Sequence, residues 1–325
     1  MYSLLLHHLT FARLEPHLKP FSEEITPLLL QDDGQIEPVW GDSSSDTMIA
    51  YGTSDAFYSP AVSEFMKTLL GAKNLAWFQS SAAGLEHPVL RMIGQKADRY
   101  TSCHAQSEAI AEWVLWAGLD FFQNGAQRRE AQQAREWRRV GFREISDTQW
   151  LVIGFGAIGQ ATARRLQALG AKVTGVRRSG GVSDCADRLI TPDGIHEALP
   201  DADAVLLSLP HSPETENIAD AAFFEAMRDG SLFLNVGRGA LVDESALLQA
   251  LERGRPSHAA LDVVREEPQS EDGPFWMHPN VTLTAHISAH TEQSQHRTDA
   301  LFIENLKAFL SEAEMQNVIQ QDMFS

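Results

Sequence analysis

The stretch that most narrows what this chain can fold into is Thr148–Gly170, TQWLVIGFGAIGQATARRLQALG. Trp150, Leu151, Val152 and Ile153 form a short apolar run of the kind carried by a strand buried on both faces. Gly154, Gly156 and Gly159 follow at G-x-G-x-x-G spacing, and a helix-period segment runs from Ile158 to Leu169. A dinucleotide crossing this turn explains each glycine. Gly154 makes the tight turn, Gly156 lets the backbone approach a pyrophosphate, and Gly159 lets the helix pack close on the strand. The helix N-terminus then offers unpaired N–H groups and a positive dipole end to phosphate oxygens. Phe155, Ala157 and Ile158 complete this candidate cofactor loop. Three glycines alone are a weak signal; the strand before and the helix after them make it specific.

From there the strand–helix rhythm is regular. Strands are expected at Lys172–Val176, Ala204–Leu209, Ser231–Val236, Ala259–Val263 and Val281–Thr284. Helices fall at Ala221–Met227, with Asp220 placed as its cap, and at Glu244–Arg253. Such alternation means a doubly wound parallel sheet. Residues 1–100 read as a smaller α/β layer, again with a parallel sheet. Its strands are Ser3–Leu6, Ile25–Leu30, Thr47–Tyr51 and Asn74–Phe78, with helices at Leu9–His17 and Ala61–Leu70. Tyr100–Cys103 reads as a further strand end. The helix Gln106–Gln123 carries Trp113, Trp116, Phe121 and Phe122, an aromatic stripe that belongs to a core or a subunit interface. Gln127–Ile145 reads as a polar connection, its arginines between Arg128 and Arg139 forming a solvated face or a subunit contact. The last long helix, Thr291–Leu310, is best used if it returns to the N-terminal layer. At 325 residues the chain has material for about two domains. The expected division is 1–102 plus 292–325 for one and 103–291 for the other, with a hinge between them.

Charge excludes some functions. With 26 Lys and Arg against 44 Asp and Glu, the formal charge is −18. Nucleic acid and anionic membrane surfaces are bound by clustered cations, so neither is an expected partner. An anionic substrate would be repelled at long range and would need local arginines and backbone N–H groups. No apolar run approaches the ~18–20 residues of a membrane helix. The start, MYSLLLHHLTF, lacks a basic region and a cleavage site, so a first strand is expected there in place of a signal peptide. Cys103 and Cys185 are the only cysteines, with no metal-type partner nearby in sequence; neither a disulfide framework nor a metal site is expected, and a reducing cytoplasm fits.

The reactive residues stand at strand ends. An acidic residue about 20 positions after the first glycine binds the ribose 2′-hydroxyl of NAD, whereas arginine accommodates the 2′-phosphate of NADP. Here Arg177, Arg178 and Ser179 occupy that place, which favours NADP(H) over NAD(H). Three later segments each end a strand with a reactive group: Asn235–Gly239 with Arg238, Leu261–Pro268 with Asp262 and Glu267, and Leu283–Ile287 with His286. Ligands of open α/β sheets bind outside such ends. Singly each has a bland reading, as a surface ion pair, a loop carboxylate or a satisfied histidine; in this order behind a G-x-G-x-x-G unit they are specific. The loop Gln79–Gly84, QSSAAG, sits where backbone N–H groups converge on an anion.

Taken together, GFGAIG, SLPHSPET (Ser208–Thr215), NVGRGALVDESAL (Asn235–Leu247), ALDVVREEP (Ala260–Pro268) and TAHIS (Thr284–Ser288) resemble the motifs of the D-isomer-specific 2-hydroxyacid dehydrogenases, in particular the glyoxylate/hydroxypyruvate reductase branch. SSAAGLE (Ser80–Glu86) is similar to that family's substrate loop. Departures are Ala285 for a proline, Ser288 and Ala289 for glycines, and Glu86 for an aspartate. The resemblance implies a Rossmann dinucleotide domain inserted into a flavodoxin-like substrate domain, and a homodimer. It implies His286 as general acid, Glu267 as the carboxylate that orients it, and Arg238 as the guanidinium that engages the substrate carboxylate. Backbone groups of Ala82, Ala83 and Gly84 would hold that carboxylate as well. Asp262 would meet the nicotinamide amide, while Leu209, Pro210, His211, Thr215, Val236 and Gly237 would line the cofactor's path. Alternatives are a dehydrogenase of another D-2-hydroxy acid, such as 3-phosphoglycerate, or a non-catalytic dinucleotide sensor. A phosphorylated substrate calls for extra cations near residues 50–85, where only Lys67 and Lys73 occur.

Overall fold

A computed structural model describes residues 1–40, 45–82, 84 and 87–324. The chain divides into two units, Met1–Ala105 with Glu292–Ser325, and Gln106–Thr291. The segment up to Ala105 is tied to the returning helix Glu292–Leu310. The Cys103 thiol donates to Thr298 Oγ1 (3.4 Å), and Arg297 Nε donates to the Ala105 carbonyl (3.0 Å).

Strands β1 (Tyr2–His7), β2 (Ile25–Leu30), β3 (Ile36–Pro38), β4 (Thr47–Gly52), β5 (Asn74–Ser80) and β6 (Tyr100–Thr101) lie in the first unit. The second holds β7 (Gln149–Ile153), β8 (Lys172–Val176), β9 (Arg188–Ile190), β10 (Ala204–Leu207), β11 (Leu232–Asn235), β12 (His258–Leu261) and β13 (Val281–Leu283). A last short strand, β14 (Val318–Ile319), belongs again to the first. The first sheet runs β14-β6-β5-β4-β1-β2-β3. Its inner pairs are parallel, as expected for this layer, and two short strands beyond those expected from the sequence, β3 and β14, pair antiparallel at the two edges. Residues 31–35 leave room only for a hairpin between β2 and β3, since a parallel return needs a long crossover.

The second sheet, β13-β12-β11-β10-β7-β8-β9, is parallel throughout. Alternate residues explain its apolar runs. Leu151, Ile153, Val205, Leu207 and Phe233 pack on one face against Phe223, Phe224 and Leu247. Trp150, Val152, Leu206 and Leu234 pack on the other, against Val114, Ala117 and Phe122 of the helix Ser107–Phe122. Each such side chain taken fully from water is worth about 1.5–3 kcal/mol. The chain order reverses between β7 and β10, which makes their C-terminal ends the place where open α/β sheets take ligands. The polar stretch read as a connection contains a helix, Gly125–Gln133, and Pro88–Lys96 is another. Among the described residues no helix is long and apolar enough to cross a membrane, and Cys103 and Cys185 are both buried and unbridged.

Candidate active site

The glycine loop joins β7 to the helix Ala157–Ala168. Gly154 has φ +102°, and a Cβ there would meet the Ser208 carbonyl carbon at 2.7 Å, at the end of β10. Ser208 Oγ donates back to the Gly154 carbonyl (2.8 Å), so the two strand ends at the switch point are joined. A Cβ on Gly159 would collide with the Gly154 carbonyl oxygen, whereas one on Gly156 would point into open space. Phe155 is buried beneath the loop, while Gly156 and Ala157 are exposed and Ile158 half-buried. No side chain caps the helix, so its first N–H groups are turned to whatever occupies the open side of Gly156. These residues fit the diphosphate of a dinucleotide.

At the end of β8, Gly180 (φ +54°) and Gly181 (φ +104°) turn the chain. Arg177 Nε donates to the Gly180 carbonyl (2.6 Å), bracing the turn. Arg178 and Ser179 are exposed beside it. The Glu214 carboxyl is held low first by the Ser212 hydroxyl, with a small assisting effect of the Arg178 charge. Within the loop after β10 the polar groups serve local geometry. Thr215 Oγ1 donates to the Pro210 carbonyl (3.0 Å) and accepts from Ser212 N–H (2.8 Å), and His211 Nε2 pairs with Glu216 Oε2 (3.2 Å). Leu209 is half-buried. Val236 and Gly237 are buried, and a Cβ on Gly237 would meet the Leu209 carbonyl oxygen at 2.7 Å.

Parallel register sets the reactive groups side by side. Asn235, Leu261 and Leu283 pair across β11, β12 and β13, so Arg238, Asp262 and His286 follow at one edge. His286 Nδ1 lies 2.8 Å from Glu267 Oε2, with both side chains partly exposed, at 50% and 36%. Glu267 Oε1 accepts from Val264 N–H (3.1 Å). The Glu267 bond, outweighing partial burial, raises the His286 pKa above its ordinary value, with the Asp262 charge assisting and the Arg238 charge opposing. Burial works to raise the Glu267 carboxyl, yet the His286 bond and charge, the Val264 N–H and the Arg238 charge together hold it low. Arg238 is therefore close enough to act on both, and its Nη1 donates to the Gly237 carbonyl (2.7 Å). With Nδ1 engaged, Nε2 is the nitrogen of His286 left to meet a substrate.

His286 has φ +53°, in the left-handed region that only a few per cent of non-glycine residues enter, histidine more often than most. Asp262 holds it there. Buried at 1% exposure, its carboxylate accepts from Thr284 Oγ1 (2.6 Å), Ile287 N–H (2.9 Å) and Ser288 N–H (3.0 Å). Its carbonyl also takes His286 N–H (2.8 Å). The carboxylate expected to face the nicotinamide amide also clamps the His286 loop. Ser288, which stands for a family glycine, is one of the donors. Of the expected substrate loop, Ala82 and Gly84 belong to the first unit, and Ala83 lies outside the described residues.

Sequence reasoning missed Arg265, whose guanidinium spans to residues 216–217 and 240–242. It also missed a cluster in the first unit. Asp32 sits 3.1 Å from His7 Nε2 and 3.3 Å from His8 Nε2. His7 Nδ1 accepts from Leu9 N–H, so a neutral His7 keeps its proton on Nε2, facing the carboxylate. A metal would need that lone pair, and it would sit at the positive end of a helix; the cluster reads as a cap.

Comparison with known proteins gives the same direction as this geometry. The model of the D-isomer specific 2-hydroxyacid dehydrogenase NAD binding domain matches residues 115–288. A glyoxylate/hydroxypyruvate reductase A from Serratia proteamaculans is 32% identical over 185 residues, which cover 57% of this chain and 59% of that protein. The chloroplastic D-3-phosphoglycerate dehydrogenase 2 of Arabidopsis thaliana is 34% identical over 194 residues, 59% of this chain and 31% of that protein. The matched stretch therefore spans less than two thirds of these relatives. A crystal structure of a D-isomer specific 2-hydroxyacid dehydrogenase family protein from Aeromonas salmonicida superposes with a TM-score of 0.77 at 26% identity, covering 99% of each chain.

Proposed function

Because the chain belongs to the D-isomer-specific 2-hydroxyacid dehydrogenase family, we propose that it reduces small 2-keto acids of the glyoxylate and hydroxypyruvate type. The product is the D-2-hydroxy acid where it is chiral, and NADP(H) is preferred over NAD(H). When bound, the reduced nicotinamide supplies the hydride to the carbonyl carbon. Everything else falls to side chains. His286 Nε2 delivers the proton to the carbonyl oxygen as negative charge develops on it. Glu267 keeps the imidazole protonated and aimed, and proton delivery by a well-placed acid such as His286 is worth about 10²–10⁴-fold. Arg238 receives the substrate carboxylate and polarises the carbonyl. Ala82, Ala83 and Gly84 keep the substrate-loop role that the resemblance implies.

Arg177 and Arg178 support the NADP(H) preference, since no carboxylate stands at the end of β8 where a ribose 2′-hydroxyl would want one. A homodimer and a cytoplasmic setting complete the reading; two buried thiols without a bridge suit a reducing compartment.

The observation that carries this reading is the 2.8 Å His286–Glu267 contact with Arg238 acting on both groups. The test is a spectrophotometric panel, NADPH and NADH each against glyoxylate, hydroxypyruvate, pyruvate and 3-phosphohydroxypyruvate. Fastest oxidation of NADPH with glyoxylate or hydroxypyruvate is expected. Cofactor binding without oxidation by any of the four would turn the reading toward a dinucleotide sensor. Preference for the phosphorylated acid, or for NADH, would overturn the substrate or the cofactor assignment respectively.

A further inference from the structure

Arg265 lies in the segment that carries Glu267, yet its side chain serves other segments. The guanidinium donates to the carbonyls of Val242 (2.9 Å) and Ala240 (3.2 Å), to Glu216 Oε1 (3.3 Å) and to Asn217 Oδ1. Its backbone N–H donates to Glu244 Oε1 (2.7 Å). The receiving segments are joined to each other as well. Asn217 N–H donates to the Ala240 carbonyl (2.9 Å), and Ala219 and Val242 form a parallel bridge. Gly239 runs so close beneath that a Cβ on it would collide with the backbone of Val264 and Arg265. The loop after Arg238 and the loop before Glu267 are thus in backbone contact, with one planar fork satisfying four acceptors from two other chain segments, 216–217 and 240–242. Lysine, with three donors on a point charge, has no equivalent of this fork.

On the reading of the site given above, we propose that Arg265 is a positioning residue, locking residues 264–268 onto residues 238–243 so that the Glu267 carboxylate stays on His286 Nδ1. The link is short. Glu267 Oε1 is held by Val264 N–H, the residue next to Arg265, and Oε2 then reaches the imidazole. The charges facing His286 are Glu267, Asp262 and Arg238, and those facing Glu267 are His286 and Arg238. Arg265 is not among these charges, so its direct charge and its placement of the carboxylate can be told apart by sign. Loss of a nearby cation by itself raises an imidazole pKa, whereas loss of the carboxylate's placement lowers it.

The test uses the full chain with R265A and R265K. Histidine-ring NMR reads the His286 titration without any substrate, the signal being assigned by its loss in H286Q. The pH profile of kcat/KM with NADPH and glyoxylate reads the same group in turnover. In R265A His286 titrates at lower pH than in the parent protein. Activity at pH 8 falls more than at pH 6, by a further factor of about five to six if that pKa drops by one between the two pH values. R265K moves in the same direction by less, and NADPH binding followed by fluorescence is unchanged. His286 titrating at the same or a higher pH in the folded variants, with equal losses at both pH values, overturns the proposal and leaves Arg265 a brace. If R265A does not fold, the direction of the R265K titration decides. Should the parent protein turn over none of the keto acids, the reductase reading fails by itself, while the NMR titration still tests the positioning.

Discussion

At the scale of single residues, the site is a contest between neighbours that pull ionisable groups in opposite directions. His286 is raised and Glu267 lowered because each finds the other's charged form. The sign of the consequence for stability follows. A histidine with a raised pKa contributes stability that is whole below its unfolded value, 6.5, and lost as pH climbs through the folded value. A carboxyl with a lowered pKa contributes stability that is whole above its unfolded value, 4.5, and lost as pH falls through the folded one. The pair thus contributes fully between 4.5 and 6.5 and fades on both sides. An ion pair this exposed is worth only about 0.2–1 kcal/mol. E267Q is therefore expected to lower the melting temperature slightly near pH 5.5, with the deficit shrinking at pH 3 and at pH 9. A deficit that grows steadily from pH 5.5 to pH 9 would mean that the glutamate stabilises by something other than its pairing with His286.

At the scale of elements, glycines mark where loops approach one another. G239A would drive a methyl into the Val264 carbonyl, an overpacking that costs about 1–3 kcal/mol. At roughly 2–4 °C per kcal/mol for a unit of this size, a clear loss of melting temperature is expected, with turnover falling because the Glu267 loop must shift. G71A is the control. It ends the helix Val62–Gly71 with nothing within 4 Å of the new methyl, so about 0.5–1 kcal/mol of added stability is expected. Equal behaviour of the two variants in thermal melts would remove the close approach as an explanation. These same contacts explain what the sequence hid. The central strands were legible because both faces are buried, so Ala204–Leu207 and Gln149–Ile153 read as apolar runs. Pro88–Lys96 was not, because Gly94 interrupts its pattern, and that glycine is there to admit the Phe324 ring. Gly125–Gln133 buries only Gly125 and Ala131, leaving no apolar period to detect, and it leans on the Arg129–Asp120 ion pair instead. In the site, the placement of Arg238, Asp262 and His286 just beyond strands was legible from the apolar runs before them, while their roles were implied by the family resemblance. The clamp made by Asp262 and the fork of Arg265 were not legible, since their partners are set by register and not by neighbourhood in the chain.

At the scale of the whole molecule, the proposed homodimer must form against a formal charge of −18 on each copy. What favours it lies on the second unit. Trp116, Phe142 and Trp137 are 48%, 56% and 95% exposed, and aromatic residues are enriched where partners associate. Leu115, Trp116 and Leu119 line an open depression of about 590 Å³, rimmed by Glu112, Asp120, Arg128 and Arg129. Burial of such aromatics depends little on salt. Repulsion between two acidic bodies is different, since it is screened once their charges lie beyond the Debye length, ~8 Å at physiological ionic strength and ~30 Å at 0.01 M. Association is therefore expected to tighten as salt rises. Light scattering should give about twice 36.0 kDa at physiological salt and a growing monomer fraction toward 0.01 M, with W116E shifted to monomer throughout. If the dimer instead weakens with added salt, the arginines between Arg128 and Arg139 hold it by ion pairs and the aromatic surface is not its seam. A monomeric mass at every salt concentration would dispose of the dimer altogether.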